Sequence, residues 1–215
     1  MFLFFFLRLL LAHLIADFLL QTDKVFKIKV KFRWGVLLHG LIVGIFSVIF
    51  TLPYYYQPQV IVYIVLLCII HITQDKAKII YNLQIERNNL WTFLGDQILH
   101  IGLIAAVSFG VNNVYPLKYP GPEIFERIYS SNKIIIFTIW LIILTYSMLI
   151  IQEYIKKIIA GDTKEGIVFL KGWIKYLQML YRSSIGIFIF LGEFWHIIVI
   201  LIAVFGFYLV KKNKL

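Results

Sequence analysis

Residues 2–22 read FLFFFLRLLLAHLIADFLLQT, an apolar run interrupted by His13 and Asp17. A helix rises about 1.5 Å per residue, so roughly 20 residues cross a hydrocarbon core of about 30 Å. An aspartate at the middle of such a helix costs about 2.5 to 3.5 kcal/mol on insertion scales and persists where it meets a partner. Further apolar runs follow at 34–52, 59–80, 90–111, 133–155, 172–191 and 194–210. Three of them repeat the intrusion, with His39, then His71 and Asp75, then Asp96 and His100.

Composition points the same way. With 61% hydrophobic residues, 15% charged and a mean hydropathy of +0.86, the 215 residues cannot be divided between a core and a water-facing shell. Membrane β-barrels show short alternating segments rather than unbroken runs of this length. The expected class is therefore all-α, a polytopic transmembrane helical bundle of about seven helices, with residues 1–215 forming one domain. The first run lacks a basic leader and a small-residue cleavage site before Gln21, and it holds Asp17, so it is expected to be a retained helix. The single cysteine, Cys68, lies inside an apolar run, which excludes an internal disulfide and predicts a packing role.

The net charge of +10 is concentrated between the runs. Lys24, Lys27, Lys29, Lys31 and Arg33 follow the first; Lys76, Lys78 and Arg87 follow the third. Lys156, Lys157, Lys164 and Lys171 follow the fifth, and Lys211, Lys212 and Lys214 end the chain, whereas the alternate segments hold only Lys118, Arg127 and Lys133. By the positive-inside rule the N-terminus lies outside and the C-terminus in the cytoplasm, in a multi-pass protein of the cell membrane. Membrane lipids explain the basic residues, and nucleic acid is not expected as a partner. Tyr54, Tyr55 and Tyr56, beside Pro53 and Pro58, are expected in an outer interfacial turn, and 112–132 in a partly ordered outer cap. In the sixth run Lys175, Gln178 and Arg182 recur at helical spacing. A helix lying in the inner interface would reduce the crossings to six, and seven is preferred because six would place the terminal lysines outside.

Orientation gives the polar residues a common geometry. The first and third runs descend inward and read H-x-x-x-D; the fourth ascends and reads Asp96 then His100. Each aspartate thus lies one turn, about 6 Å, to the cytoplasmic side of its histidine and on the same helix face. The aspartates are expected about 5 to 10 Å deep, the histidines nearer the midplane, and His39 at the aspartate level. Gln21 and Gln97 are placed to hydrogen-bond the cluster or a substrate. Four histidines and three aspartates suit a divalent transition metal, zinc first and manganese or iron next, and two ions bridged by a carboxylate fit the ligand count. Helix-tying His–Asp pairs and a proton or ion pathway are the alternatives. Ser47, Thr51, Tyr63 and Ser108 are scattered in the outer half, and no charged group is expected to continue the path outward. A site open on one side resembles an enzyme or sensor more than a carrier. Arg182 reads either as an anion clamp or as the ion-pair partner of an aspartate or of Glu153; Lys76 reads as snorkelling. No glycine-rich phosphate loop, nucleophile elbow or C-x-x-C pair is present.

The strings LLLAHLIADFLLQTDK (9–24), LLHGL (37–41), HITQDKAK (71–78) and DQILHI (96–101) resemble, in that order, the bacterial domain-of-unknown-function 3307 family. The resemblance covers about the first half of the chain. It implies a small polytopic membrane protein in which His13, Asp17, Gln21, His39, His71, Asp75, Asp96, Gln97 and His100 are signature positions. In its penultimate helix the family tends to show a Glu-Arg pair where this chain has YLQMLYR (176–182). A looser similarity links the pattern to intramembrane metal hydrolases, by analogy of ligand type alone.

The expected function is a metal-dependent membrane hydrolase acting on a lipid-linked or amphiphilic substrate from the inner leaflet. The metal ligands would come from His13, Asp17, His39, His71, Asp75, Asp96 and His100. One of Asp17, Asp75 and Asp96 would serve as catalytic base, and Arg182, Gln21 and Gln97 would bind substrate. A transporter coupled to protons or divalent cations, and a structural membrane subunit, are the competing classes.

Overall fold

The structure, a computed structural model, describes residues 1–32, 34–54, 56–84, 90–111, 114, 123–159 and 173–191. Among them are helices α1 (Phe2–Leu20), α2 (Asp23–Lys31), α3 (Gly35–Phe50), α4 (Pro58–Gln84), α5 (Leu90–Gly110), α6 (Glu123–Ser130), α7 (Asn132–Ile159) and α8 (Trp173–Leu191), and no strand. Helices suit lipid because every backbone polar group is satisfied within the segment. Helices α1, α4, α5 and α7 are each long and apolar enough to cross a membrane, and α3 is a shorter apolar helix of 16 residues. The chain is a helical membrane protein.

The first five expected runs correspond to α1, α3, α4, α5 and α7, and the sixth to α8. Helix α8 carries Lys175, Gln178 and Arg182 and is not among the four long apolar helices. The seventh expected run, 194–210, lies outside the described residues.

Helix α1 is the axis of the bundle: 56% of its apolar window is buried, against 22–33% for α4, α5 and α7. One flank places Phe5, Leu9 and Ala16 against Val43 of α3, Ile64 and Leu67 of α4, and Ile104 and Val107 of α5. The other places Leu7, Leu11, Leu14 and Phe18 against Phe93 of α5 and Ile135, Ile139 and Ile142 of α7. Leu37, Leu41, Ile45 and Ile49, four residues apart on α3, form an exposed apolar stripe that suits acyl chains. Helices α3 and α4 approach closely because Gly40 leaves room for the Ile72 side chain; a Cβ there would lie 2.3 Å from it.

Helix ends gather in two sets. The start of α1 meets the start of α4 and the end of α5: Phe2 stacks on Phe109 at 4.1 Å, and Gln59 donates to the Gly110 carbonyl at 3.2 Å. Tyr54 lies in the turn expected between α3 and α4 and is buried there against Phe4 and Phe5, with ring centroids 5.2 and 5.0 Å away. The opposite end collects the C-terminal ends of α1, α4 and α7 together with α2, and with them Lys24, Lys27, Lys29, Lys31, Lys76, Lys78, Lys156 and Lys157. The charge asymmetry of the sequence is therefore an asymmetry between two ends of one bundle.

Two features depart from expectation. Arg8, in the N-terminal half of α1, is fully buried, which corrects the reading that no charged group lies on that side of the cluster. It donates to the Phe4 carbonyl at 3.2 Å, Asn132 Oδ1 at 2.9 Å and the Tyr129 carbonyl at 2.5 Å, and stacks 3.5 Å over the Phe4 ring. It clamps the α6–α7 corner to α1, while the Tyr129 hydroxyl donates to the Phe50 carbonyl at the end of α3. The second departure is α2, a helix where only a basic connection was anticipated. The Thr22 side chain accepts from the Val25 amide at 3.4 Å, an N-cap, and Val25, Phe26 and Ile28 are half-buried while Lys24, Lys27 and Lys31 are exposed.

Candidate functional site

All seven expected cluster residues meet. From α1 come His13 and Asp17, from α3 His39, from α4 His71 and Asp75, and from α5 Asp96 and His100, all buried or nearly so. Asp17 lies in a wide π-helical stretch, Ile15–Leu20, that ends α1 and packs against a second such stretch, Ile143–Ser147, within α7. Such widened turns relax helix register locally, which re-aims a side chain.

The two polar layers are present. His71 and His100 lie with ring centroids 4.2 Å apart, and His13 is 5.0 Å from His100 and 5.4 Å from His71. Beneath them are the carboxylates, and His39 joins at their level: its Nε2 donates to Asp17 Oδ1 at 2.9 Å and lies 3.7 Å from Asp75 Oδ2. The other contacts are longer. His71 Nε2 is 3.4 Å from Asp75 Oδ2; His100 Nε2 is 3.3 Å from Asp96 Oδ1 and 3.8 Å from Asp75 Oδ1. His13 Nδ1 is 3.7 Å, and His71 Nε2 4.0 Å, from Asp17 Oδ1.

Those separations have a chemical meaning. Ligand atoms about 2.0 to 2.1 Å from a tetrahedral ion stand roughly 3.3 Å apart, too far for a hydrogen bond and close to the spacing here. Three sets place their donor atoms within 4.8 Å of one another: His13, Asp17 and His71; His39, His71 and Asp75; and Asp75, Asp96 and His100. Asp75 is shared by two of them, and its two oxygens face different partners, Oδ2 toward His71 and Oδ1 toward His100. Both nitrogens of His13, and Nε2 of His71 and of His100, are buried without a hydrogen-bond partner among the described residues.

Gln74, unremarked in the sequence, sets the polarity of His100. Its Nε2 donates to the Leu99 carbonyl at 3.4 Å, so Oε1 accepts from His100 Nδ1 at 2.9 Å. The proton of a neutral His100 is then on Nδ1, leaving the Nε2 lone pair aimed at Asp75 and Asp96. Two lone pairs facing each other repel unless a cation or proton lies between them.

Two lysines of the basic connections belong to the site. Lys29 of α2 is buried, with Nζ 2.7 Å from Asp75 Oδ2 and donating to Gln21 Oε1 at 3.0 Å. Lys78 Nζ lies 2.6 Å from Asp96 Oδ2, which also accepts from Gln97 Nε2 at 3.2 Å. Lys78, three residues beyond Asp75, shares its helix face, which is a local signal; nothing local marks Lys29. Arg182 is directed elsewhere: it donates to Gln152 Oε1 at 2.5 Å and to the Leu144 carbonyl at 3.3 Å, both on α7. Glu153 pairs with Lys156 at 2.5 Å, and Lys76 is exposed.

Fold and site together define a helical membrane protein with a buried His/Asp cluster shared by four helices. A family model matches residues 5–118, more than half of the chain and the whole of that cluster. The chain belongs to this family, described as protein of unknown function (DUF3307). No curated protein and no solved structure matches it.

Proposed function

We propose that the cluster is a divalent metal centre, with zinc the first candidate and manganese or iron next, in a multi-pass protein of the cell membrane whose N-terminus lies outside. The observation that carries this reading is the placement of His100 Nε2, 3.3 and 3.8 Å from two carboxylates while Gln74 engages Nδ1, beside unpartnered nitrogens of His13 and His71. His13, His71, His100, Asp17, Asp75 and Asp96 supply ligands, and His39 holds Asp17. Because Asp75 faces two donor sets, the centre accommodates one ion or two. A bound cation of this kind lowers the pKa of a coordinated water and polarises an ester or anhydride. A carboxylate not needed as ligand takes the proton, and the substrate is lipid-linked or amphiphilic, reached from the lysine-rich end. The function proposed is thus a membrane hydrolase. Access from one end is supported at the opposite side, where Ser47, Thr51 and Ser108 are buried and Thr51 and Ser108 bond carbonyls of their own helix at 2.7 Å.

One observation favours a second reading, a proton-coupled carrier. Two of the three carboxylates are already paired with Lys29 and Lys78, so a single proton between His100 and the carboxylates would make the cluster neutral. Elemental analysis of detergent-purified protein separates the two. The metal reading expects at least one equivalent of transition metal, lost in His71→Ala and Asp96→Ala variants of unchanged helicity. Protein that stays metal-free after loading, yet moves protons in liposomes, would overturn it.

A further inference from the structure

We infer that Lys29 and Lys78 form the binding site for a phosphate group of the substrate, directly beside the proposed metal centre and resting on that proposal. Burying an ammonium group in a membrane protein is costly, and Lys29 is nonetheless 93% enclosed, with Gln21 orienting it. Both lysines contact only one oxygen of their carboxylate. Asp75 Oδ1 and Asp96 Oδ1 face His100, while the lysines hold the two Oδ2 atoms. When the carboxylates turn to a cation, the ammonium groups lose their counter-charge. Three carboxylates against two ammonium groups and one divalent ion leave one positive charge in excess; a second ion raises the excess to three.

A substrate anion supplies negative charge where the two ammonium groups have lost theirs, and its shape follows from the donors. Two ammonium groups and an open coordination position on the ion offer three points of contact, which match the three terminal oxygens of a phosphate monoester; a carboxylate has two. Lys78 is 25% exposed, so the site opens at the lysine-rich end, where headgroups and soluble phosphates both arrive. Arg182, the residue the sequence offered for this task, is held by α7.

The test titrates inorganic phosphate into zinc-loaded, full-length protein and measures zinc content in parallel. Lys29→Met and Lys78→Met should each weaken phosphate binding at least 10-fold while keeping or increasing zinc, and the exposed neighbour variant Lys76→Met should change neither. Lys29→Arg and Lys78→Arg should retain binding within a few-fold. A variant-free measurement stands beside these: phosphate should protect Lys78, and not Lys76, of the zinc-loaded wild type from acetic anhydride. Vesicles of phosphatidic acid that displace phosphate, where phosphatidylcholine vesicles do not, would assign the group to a lipid headgroup. Displacement by neither, with phosphate still bound, would assign it to a soluble phosphate ester. Zinc bound without phosphate binding, or phosphate binding unaffected by both methionine variants, overturns this inference and leaves the metal centre standing. A protein that takes up no zinc overturns both.

Discussion

Asp75 is a hub of the cluster: Lys29, His39, His71 and His100 all lie within 4 Å of its oxygens. Removing its charge leaves the enclosed Lys29 ammonium uncompensated, a loss that typically costs about 3 to 5 kcal/mol for a buried pair. Asp75→Asn should therefore destabilise the protein by about that amount, and Lys29→Met added to it should restore most of the loss; unfolding in detergent, run as a double-mutant cycle, reads both. Gln74 makes a different prediction. Gln74→Leu removes the acceptor for His100 Nδ1 and frees the ring to rotate or change tautomer, so metal affinity should fall about 10- to 100-fold. A competitive chelator titration measures this, and unchanged affinity would mean that His100 is not a ligand.

Helix α2 contributes to the site only because α3 lets it approach. Gly35 opens α3, and a Cβ there would lie 2.1 Å from the Ile28 carbonyl oxygen and 2.7 Å from the Lys29 Cα. Backbone atoms cannot swing aside as a side-chain tip does, so Gly35→Ala must push α2 away and draw Lys29 from Asp75. Overpacking of this kind costs about 1 to 3 kcal/mol. The expected outcome is a lower melting temperature together with faster cleavage of α2 after Lys27 by a lysine-specific protease; equal cleavage rates would show that α2 is not held there. The helix itself forms for ordinary reasons, a threonine N-cap and an apolar side carrying Val25, Phe26 and Ile28.

The bundle as a whole has one lysine-rich end and one aromatic end, and the proposed orientation makes the first cytoplasmic. In a Cys68→Ala background, Lys24→Cys and Lys27→Cys should react with a membrane-impermeant maleimide only after cells are opened, whereas Gln57→Cys should react in intact cells. The reverse pattern would invert the protein and turn the site toward the outside. Most of the bundle was legible in the chain. Long apolar runs gave six helices their positions, and i,i+4 spacing placed His13 with Asp17, His71 with Asp75 and Asp96 with His100 on shared faces, because helical periodicity is local. Even the convergence of those faces followed, since charged groups in lipid must find one another. Contacts between distant segments were another matter. Arg8 meets Asn132 across 124 positions, Lys29 meets Asp75 from a neighbouring helix, and Arg182 turns to Gln152. A lysine in a basic connection looks the same whether it faces headgroups or a carboxylate. Periodicity and solvation cost act within a segment, so the sequence determined the helices and their polar faces. Which cation each carboxylate holds depends on how closely two backbones approach, and that only the packed bundle decided.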